Sequence, residues 1–303
     1  MKKEQVGSKW TTKRQTLINE RSDKLAAKID RAQNKLFRYL TEFFIPTLET
    51  DKDDIIIPTE KMIFIPSRLD NFYDRFNDEE VKPIISTFAS DIADLLKYNR
   101  KYYNEIKSND ASESVNASVL GALGIAGSVI AGGSLLHAII ADRSVIAAVK
   151  TAIMASIGTG VTTTTLKVSI EDVVMRRGGG ILKGLFEEKL PEPYVKVDNF
   201  IGKQYATALK LNYAIYQGGT IGTSREFCIV RNNKVFSRDE IAKFGTREDK
   251  FDGYTDKSNG EFQGKNANYD PFQDLGGYNC RHFYSYISDE LAFTLRPELE
   301  GRS

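Results

Sequence analysis

The sequence predicts a mainly α protein of the α+β class. Helical N-terminal and central parts, including an apolar Gly/Ala-rich helical hairpin, precede a small C-terminal module that contains a β-hairpin. Three observations predict it. Apolar residues recur at steps of three and four through most of the first 216 positions, the spacing of one helix face. The 22 residues from Val119 to Ile140 carry no formal charge and are rich in Gly and Ala. After Gly218-Gly219 the helical period gives way to short β-prone runs that hold both cysteines and one of the two histidines.

The first helix runs from Lys24 to Phe44, with Leu25, Ile29, Ala32, Leu36, Leu40 and Phe43 on one side and Pro46 as its stop. Its other face is basic: Lys24, Lys28, Arg31, Lys35 and Arg38. Ile55–Ile57 and Met62–Ile65, each closed by proline, read as short extended segments. A second helix follows Asp78, its stripe of Val81, Ile84, Ile85, Phe88, Ile92, Leu95 and Leu96 interrupted by Asn99. Lys107 to Asn116 is a linker by composition.

Val119–Ile140 is long enough to cross a bilayer as a helix, and a second apolar run extends to Val161. Three readings stand here: a buried helical hairpin, a sheltered segment that inserts into a membrane later, and a constitutive anchor. The residues that would meet lipid are Val119, Leu120, Ile125, Val129, Ile130, Leu135, Leu136, Ile139 and Ile140. Further helices are expected over Thr162–Arg177, over a short piece beginning at Ile181, and over Tyr194–Tyr216 with a cap at Gly218-Gly219. The C-terminal part reads as two strands, Phe227–Arg231 and Lys234–Phe236, around Asn232-Asn233. A helix opens at the capping box Ser237-Arg238-Asp239-Glu240, and Ser288 opens a last one. The chain thus divides into residues 1–107, a linker at 108–116, an apolar helical region at 117–190, and a module at 191–303 with a polar insert at 245–270.

With 303 residues the chain can bury a sizeable core, and a net charge of +1 with 27% charged residues speaks against a generally basic nucleic-acid binder. The balance hides an asymmetry: eleven Lys or Arg against four Asp or Glu put +7 in residues 1–38, leaving about −6 for the rest. Such an arm is a solvated helix face or a binding surface for an acidic partner or nucleic acid. Two cysteines do not make a disulfide scaffold, and the basic start is not followed by an apolar stretch, so synthesis in a cytoplasm without a signal peptide is expected. There is no P-loop, no H-E-x-x-H and no dinucleotide fingerprint.

The segments Thr223-Ser224-Arg225-x-x-Cys228, Arg231-Asn-x-Lys234-Val-Phe236 and Asn279-Cys280-Arg281-His282 stand in a distinctive order. Over about residues 195–290 the chain resembles the C-terminal module of the phage Mu F-like minor head proteins, the head-morphogenesis family. It departs from that pattern in three places. Arg231 stands where a second cysteine is frequent, His282 replaces the terminal cysteine, and Gly277-Tyr278 replaces His-Pro. A four-cysteine site is therefore lost. Cys228, Cys280 and His282 remain, one ligand short of a structural zinc site. The two cysteines could pack as thiols or form a disulfide once a particle leaves the cell, could bind zinc with His282 and a fourth group, or could form a Cys–His catalytic pair. Arg225 and Arg281 are expected to donate to backbone carbonyls that join the two pieces.

The resemblance implies a non-enzymatic minor capsid protein of a tailed phage, virion-borne at the portal vertex or inside the capsid and in some lineages ejected with the genome. Portal and capsid proteins are its implied partners. The basic first helix adds packaged DNA, and the 119–161 segment adds the host membrane on ejection. The alternatives are a membrane-active protein or toxin acting through 119–161, and a Cys/His-dependent enzyme.

Overall fold

A computed structural model describes residues 8–107, 110–126, 129–176, 179–190, 192–251, 254–255, 259–278 and 280–301. Asn279 of the last motif lies outside the described residues, as do 108–109 of the expected linker, Gly127, Arg177, Gly178 and Pro191.

In chain order the elements begin with α1 (Ser8–Arg38), α2 (Ile65–Phe76), α3 (Lys82–Ile106) and α4 (Ser112–Leu123). A two-residue ribbon follows, β1 (Ile125–Ala126) with β2 (Val129–Ile130), then α5 (Leu135–Ile140), α6 (Ser144–Gly158), α7 (Thr163–Glu171) and α8 (Ile181–Lys189). The last third holds α9 (Pro193–Leu209), β3 (Tyr213–Gln217), α10 (Glu226–Arg231), β4 (Val235–Ser237) and α11 (Arg238–Lys243). It closes with the ribbon β5 (Lys250–Phe251) and β6 (Tyr254–Thr255), then β7 (Phe283–Ile287) and α12 (Asp289–Leu295). The expected mainly helical fold with a small β-containing C-terminal module is therefore the one the chain adopts.

The chain forms two compact units from alternating segments: Met1–Ser22, Ser90–Leu123 and Pro191–Ser303 in one, Asp23–Ala89 and Gly124–Leu190 in the other. In the second unit Leu25, Ile29, Ala32, Leu36 and Leu40 of the predicted stripe are buried. The stripe ends on Phe44 instead of Phe43, which is 62% exposed, because Tyr39–Phe44 is wound as a π-helix that carries one extra residue per turn. Met62–Ile65 is not extended. Glu60–Phe64 is a 3₁₀ turn and Ile65 opens α2 with Pro66 in its first turn, where the missing N–H costs nothing.

The uncharged stretch is cut into pieces. Its helix α4 stops at Leu123 because Gly124 turns to φ +70°, against Ser134, where a Cβ would stand 2.0 Å from the serine's own Cβ. Ala131 N–H then donates to Gly124 O at 2.7 Å, and Ser134 caps the short α5. Glycine's low helix propensity makes such a break inexpensive. Val119, Leu136 and Ile139 are buried; Leu120, Ile125, Ile130 and Ile140 are half-buried; Val129 and Leu135 are exposed. No helix among the described residues is long and apolar enough to cross a membrane.

The other unit centres on an antiparallel sheet of order β4-β3-β7. The strand β3 falls where the last turns of a helix were expected. Lys210 takes a left-handed φ of 54° and ends α9, and Leu211 N–H closes onto Ala206 O, so Gly218-Gly219 follows a strand and caps no helix. Tyr213 to Tyr216, rich in aromatic and β-branched side chains, then suit a strand that is buried at Tyr213, Ala214 and Tyr216. Phe227–Arg231 is the helix α10, not a strand; Asn233 at φ 60° makes the predicted turn, but between α10 and β4. Ser237 and Glu240 form the expected capping box, and Ser288 caps α12. Beneath the sheet Arg14 and Asp198, both fully buried, pair through two hydrogen bonds of 3.1 and 2.6 Å. Asn99, the break in the second helix's stripe, donates to the same carboxylate at 2.7 Å.

Candidate metal centre

The strand pairing brings the two motif segments together. In the β3–β7 register Gln217 faces Phe283, so the chain leaving β3 at Gly218 lies against His282, the residue that enters β7. A Cβ on Gly218 would sit 2.5 Å from the imidazole Cδ2, so this approach needs glycine. Beyond it, Ser224 closes a turn by accepting from Ile221 N–H at 2.8 Å, and Arg225 occupies the N-cap of α10. That puts Cys228 in the helix's first turns, with its N–H on Arg225 O. Arg225 also clamps the opposite segment, donating from Nη1 to Gly276 O at 3.1 Å and from Nη2 to Tyr278 O at 2.5 Å. The expected role of Arg225 is thus realised in the geometry; the Arg281 side chain is exposed.

Cys228, Cys280 and His282 are all buried, and their ligand atoms lie within 4.8 Å of one another. Among the described residues this is the group of His, Cys, Asp and Glu side chains placed to close on one ion. The sulfurs are free thiols 3.8 Å apart, and Cys280 Sγ is 3.5 Å from His282 Nδ1. Gly276 N–H donates to Cys280 Sγ at 3.2 Å, and a Cβ there would stand 2.2 Å from Cys228 Sγ, so glycine backbone is packed directly on the sulfurs. Tyr216 of β3, fully buried, donates its hydroxyl to Cys228 Sγ at 3.4 Å and lies 3.8 Å from Cys280 Sγ.

These neighbours separate the two thiols. Contact with the Cys228 sulfur, together with the adjacent His282, holds the Cys280 thiol well below its usual range, although burial opposes ionisation. Cys228, through the same contact with Cys280 and through its own burial, is pushed up. Two buried sulfurs and an imidazole at this spacing are a donor set for a thiophilic cation. Among the described residues His282 Nε2 has no hydrogen-bond partner, whereas a general base is normally oriented by a third group. A cleft of 720 Å³ opens beside Cys228, Cys280 and His282.

The remaining motif residues serve the framework. Arg231 is fully buried, donates to Phe227 O and Asp249 Oδ2, and lies 3.6, 4.5 and 5.0 Å from the ring centres of Phe227, Phe244 and Phe251. Where the resembled pattern has a second cysteine, this chain has an aromatic-walled ion pair. Lys234 is exposed, its amino group 5.1 Å from the Phe251 ring. The insert at 245–270 is not a free arm over its described residues. Asp249 is buried, Phe262 stacks on Phe227 at 4.2 Å, and Lys265 donates to Gly245 O and Gly260 O. The basic stripe of α1 is partly engaged internally, with Lys28 on Thr87, Lys35 on Glu80 and Arg38 on Glu42. His137 is half-buried, its backbone N–H capped by Ser134.

Sequence reasoning missed Tyr216, hidden inside an expected helix, although the run Tyr213-Ala-Ile-Tyr carries strand character. It also missed the pairing of Arg14 with Asp198, 184 positions apart, which no local pattern marks. Comparison with known protein families, with curated proteins and with solved structures finds no match to this chain.

Proposed function

We propose that the chain is a minor capsid protein of a tailed bacteriophage, made in the host cytoplasm and built into the virion at the portal vertex or the inner capsid surface. The observation that carries this reading is the meeting of the two motif segments. The segments 223–228 and 280–282, 52 positions apart from cysteine to cysteine, bring Cys228, Cys280 and His282 into one buried cluster, closed by β3–β7 pairing and by the Arg225 clamp. The resemblance implies such a closed module, with a variable insert between fixed ends.

In this reading the module is an attachment unit, non-enzymatic, and the cluster is its fastener. The finer assignment is a zinc ion on Cys228, Cys280 and His282. It would join the two ends of the insert in a domain whose sheet has only three strands.

The test is quantitative mass spectrometry of purified particles before and after DNA release in vitro. A few to tens of copies per particle support the proposal. Loss on release would mark a protein ejected with the genome, and retention a portal-proximal one. Absence from particles would refute it.

A further inference from the structure

We propose that Tyr216 is the fourth ligand of the centre, its phenolate oxygen joining the two thiolates and the imidazole in a tetrahedral set around a zinc-class cation. This rests on the metal reading above and supplies the group that reading lacks.

The edges of the cluster carry the argument. Zinc bonds of about 2.3 Å to sulfur, about 2.05 Å to nitrogen and about 2.1 Å to oxygen, opened to the tetrahedral angle, set the ligands apart by about 3.8 Å for S to S and about 3.6 Å for S to N or O. The two sulfurs are 3.8 Å apart, Cys280 Sγ and His282 Nδ1 are 3.5 Å apart, and the Tyr216 hydroxyl is 3.4 and 3.8 Å from the sulfurs. Five of the six edges of a tetrahedron involve a sulfur, and four of those five are already at or near their bonded length. No two of the Cys and His ligand atoms are more than 4.8 Å apart, so drawing those three together takes about 1 Å of side-chain movement. His282 is the group to make it, since among the described residues Nε2 has no hydrogen-bond partner that would hold the ring.

Tyr216 is also fixed where a ligand must be. It lies in β3 between Ala214 and Gly218, in the middle of the sheet, with β4 and β7 on either side. The phenol is fully buried and its hydroxyl contacts are the two sulfurs. The cleft is lined by the cysteines and the histidine, so a water entering by that route is the competing fourth ligand. Binding releases the phenolic and thiol protons to solvent, with no change of oxidation state.

The experiment uses the full-length reduced protein, titrated with Co(II) and, separately, with Zn(II). One equivalent of cobalt should produce the strong visible bands of a tetrahedral ion together with sulfur-to-cobalt charge transfer, and Cys228→Ser should weaken the latter. Tyr216→Phe should shift the visible bands and lower cobalt affinity at least about tenfold, since even outer-shell partners of metal ligands are worth that much. In the wild-type protein zinc should generate the near-ultraviolet difference band of one tyrosinate, which decides the matter even if Tyr216→Phe fails to fold. Tetrahedral bands with no tyrosinate signal, and a Tyr216→Phe protein of unchanged bands and affinity, would overturn the Tyr216 assignment and leave a three-residue site completed by water. Absence of tetrahedral bands in the wild type would overturn the metal reading as well. Neither result touches the particle measurement.

Discussion

Replacing Arg14 by alanine should unfold the sheet-bearing unit more readily than any other single truncation on α1. The guanidinium is fully buried, makes hydrogen bonds of 3.1 and 2.6 Å to Asp198, and lies 5.0 and 5.5 Å from the ring centres of Phe283 and Tyr102. Burial works against its charge, but Asp198 outweighs it and holds Arg14 above its ordinary value. Without the guanidinium, the Asp198 carboxylate keeps the Asn99 amide and loses its counter-charge in a site with no solvent exposure. Leaving one partner of a buried pair uncompensated costs about 3–5 kcal/mol. The double variant Arg14→Met with Asp198→Leu removes the bare charge, and should recover most of that loss. Urea unfolding followed by Trp10 fluorescence is the assay. Trp10 is the only tryptophan and sits one turn before Arg14 in the same unit, so it reports the transition of interest. A loss below about 1 kcal/mol for Arg14→Ala, or a double variant no more stable than the single, would refute the assignment of this pair as a buried counter-charge.

Gly276→Ala would drive a methyl to 2.2 Å from Cys228 Sγ, so a loss of about 1–3 kcal/mol in thermal or urea unfolding is expected, together with loss of cobalt binding. Zinc at about 100 times its dissociation constant should stabilise the folded chain by about 2.7 kcal/mol, a gain that a chelator reverses, and should slow alkylation of both cysteines. Asp249→Ala leaves Arg231 among three phenylalanine rings without its carboxylate, so the 245–270 segment should become the first site of limited proteolysis. In alkali, burial pushes Tyr73, Tyr102 and Tyr205 up to about 12. Their folded values lie above the unfolded value of about 10, so the stability they contribute is intact below pH ~10 and falls as pH rises toward 12. A spectrophotometric titration should show these phenols ionising together with unfolding; normal ionisation in a still-folded chain would contradict their burial.

The sequence by itself determined what depends on neighbours along the chain. The stripe from Leu25 to Leu40, the capping box at Ser237, the Ser288 cap and the positive φ at Asn233 are read from spacing and side-chain chemistry within a few residues, and the structure has them. The two motif segments holding Cys228, Cys280 and His282 were legible as separate pieces for the same reason. Tertiary structure decided the rest. Tyr213–Gln217 is a strand because β4 and β7 flank it and satisfy its backbone, a condition that helical periodicity in the preceding residues cannot reveal. Phe227–Arg231 is a helix because the Phe227 ring must reach Phe244 and Phe262 while Cys228 faces Cys280. The apolar run breaks at Gly124 because Ser134 approaches there, and composition alone favoured continuity. The Tyr216 hydroxyl between two sulfurs, and the Arg14–Asp198 pair, join residues 12 to 184 positions apart. Such contacts are fixed by strand register and by the need to compensate a buried charge, and neither leaves a periodic mark in the chain.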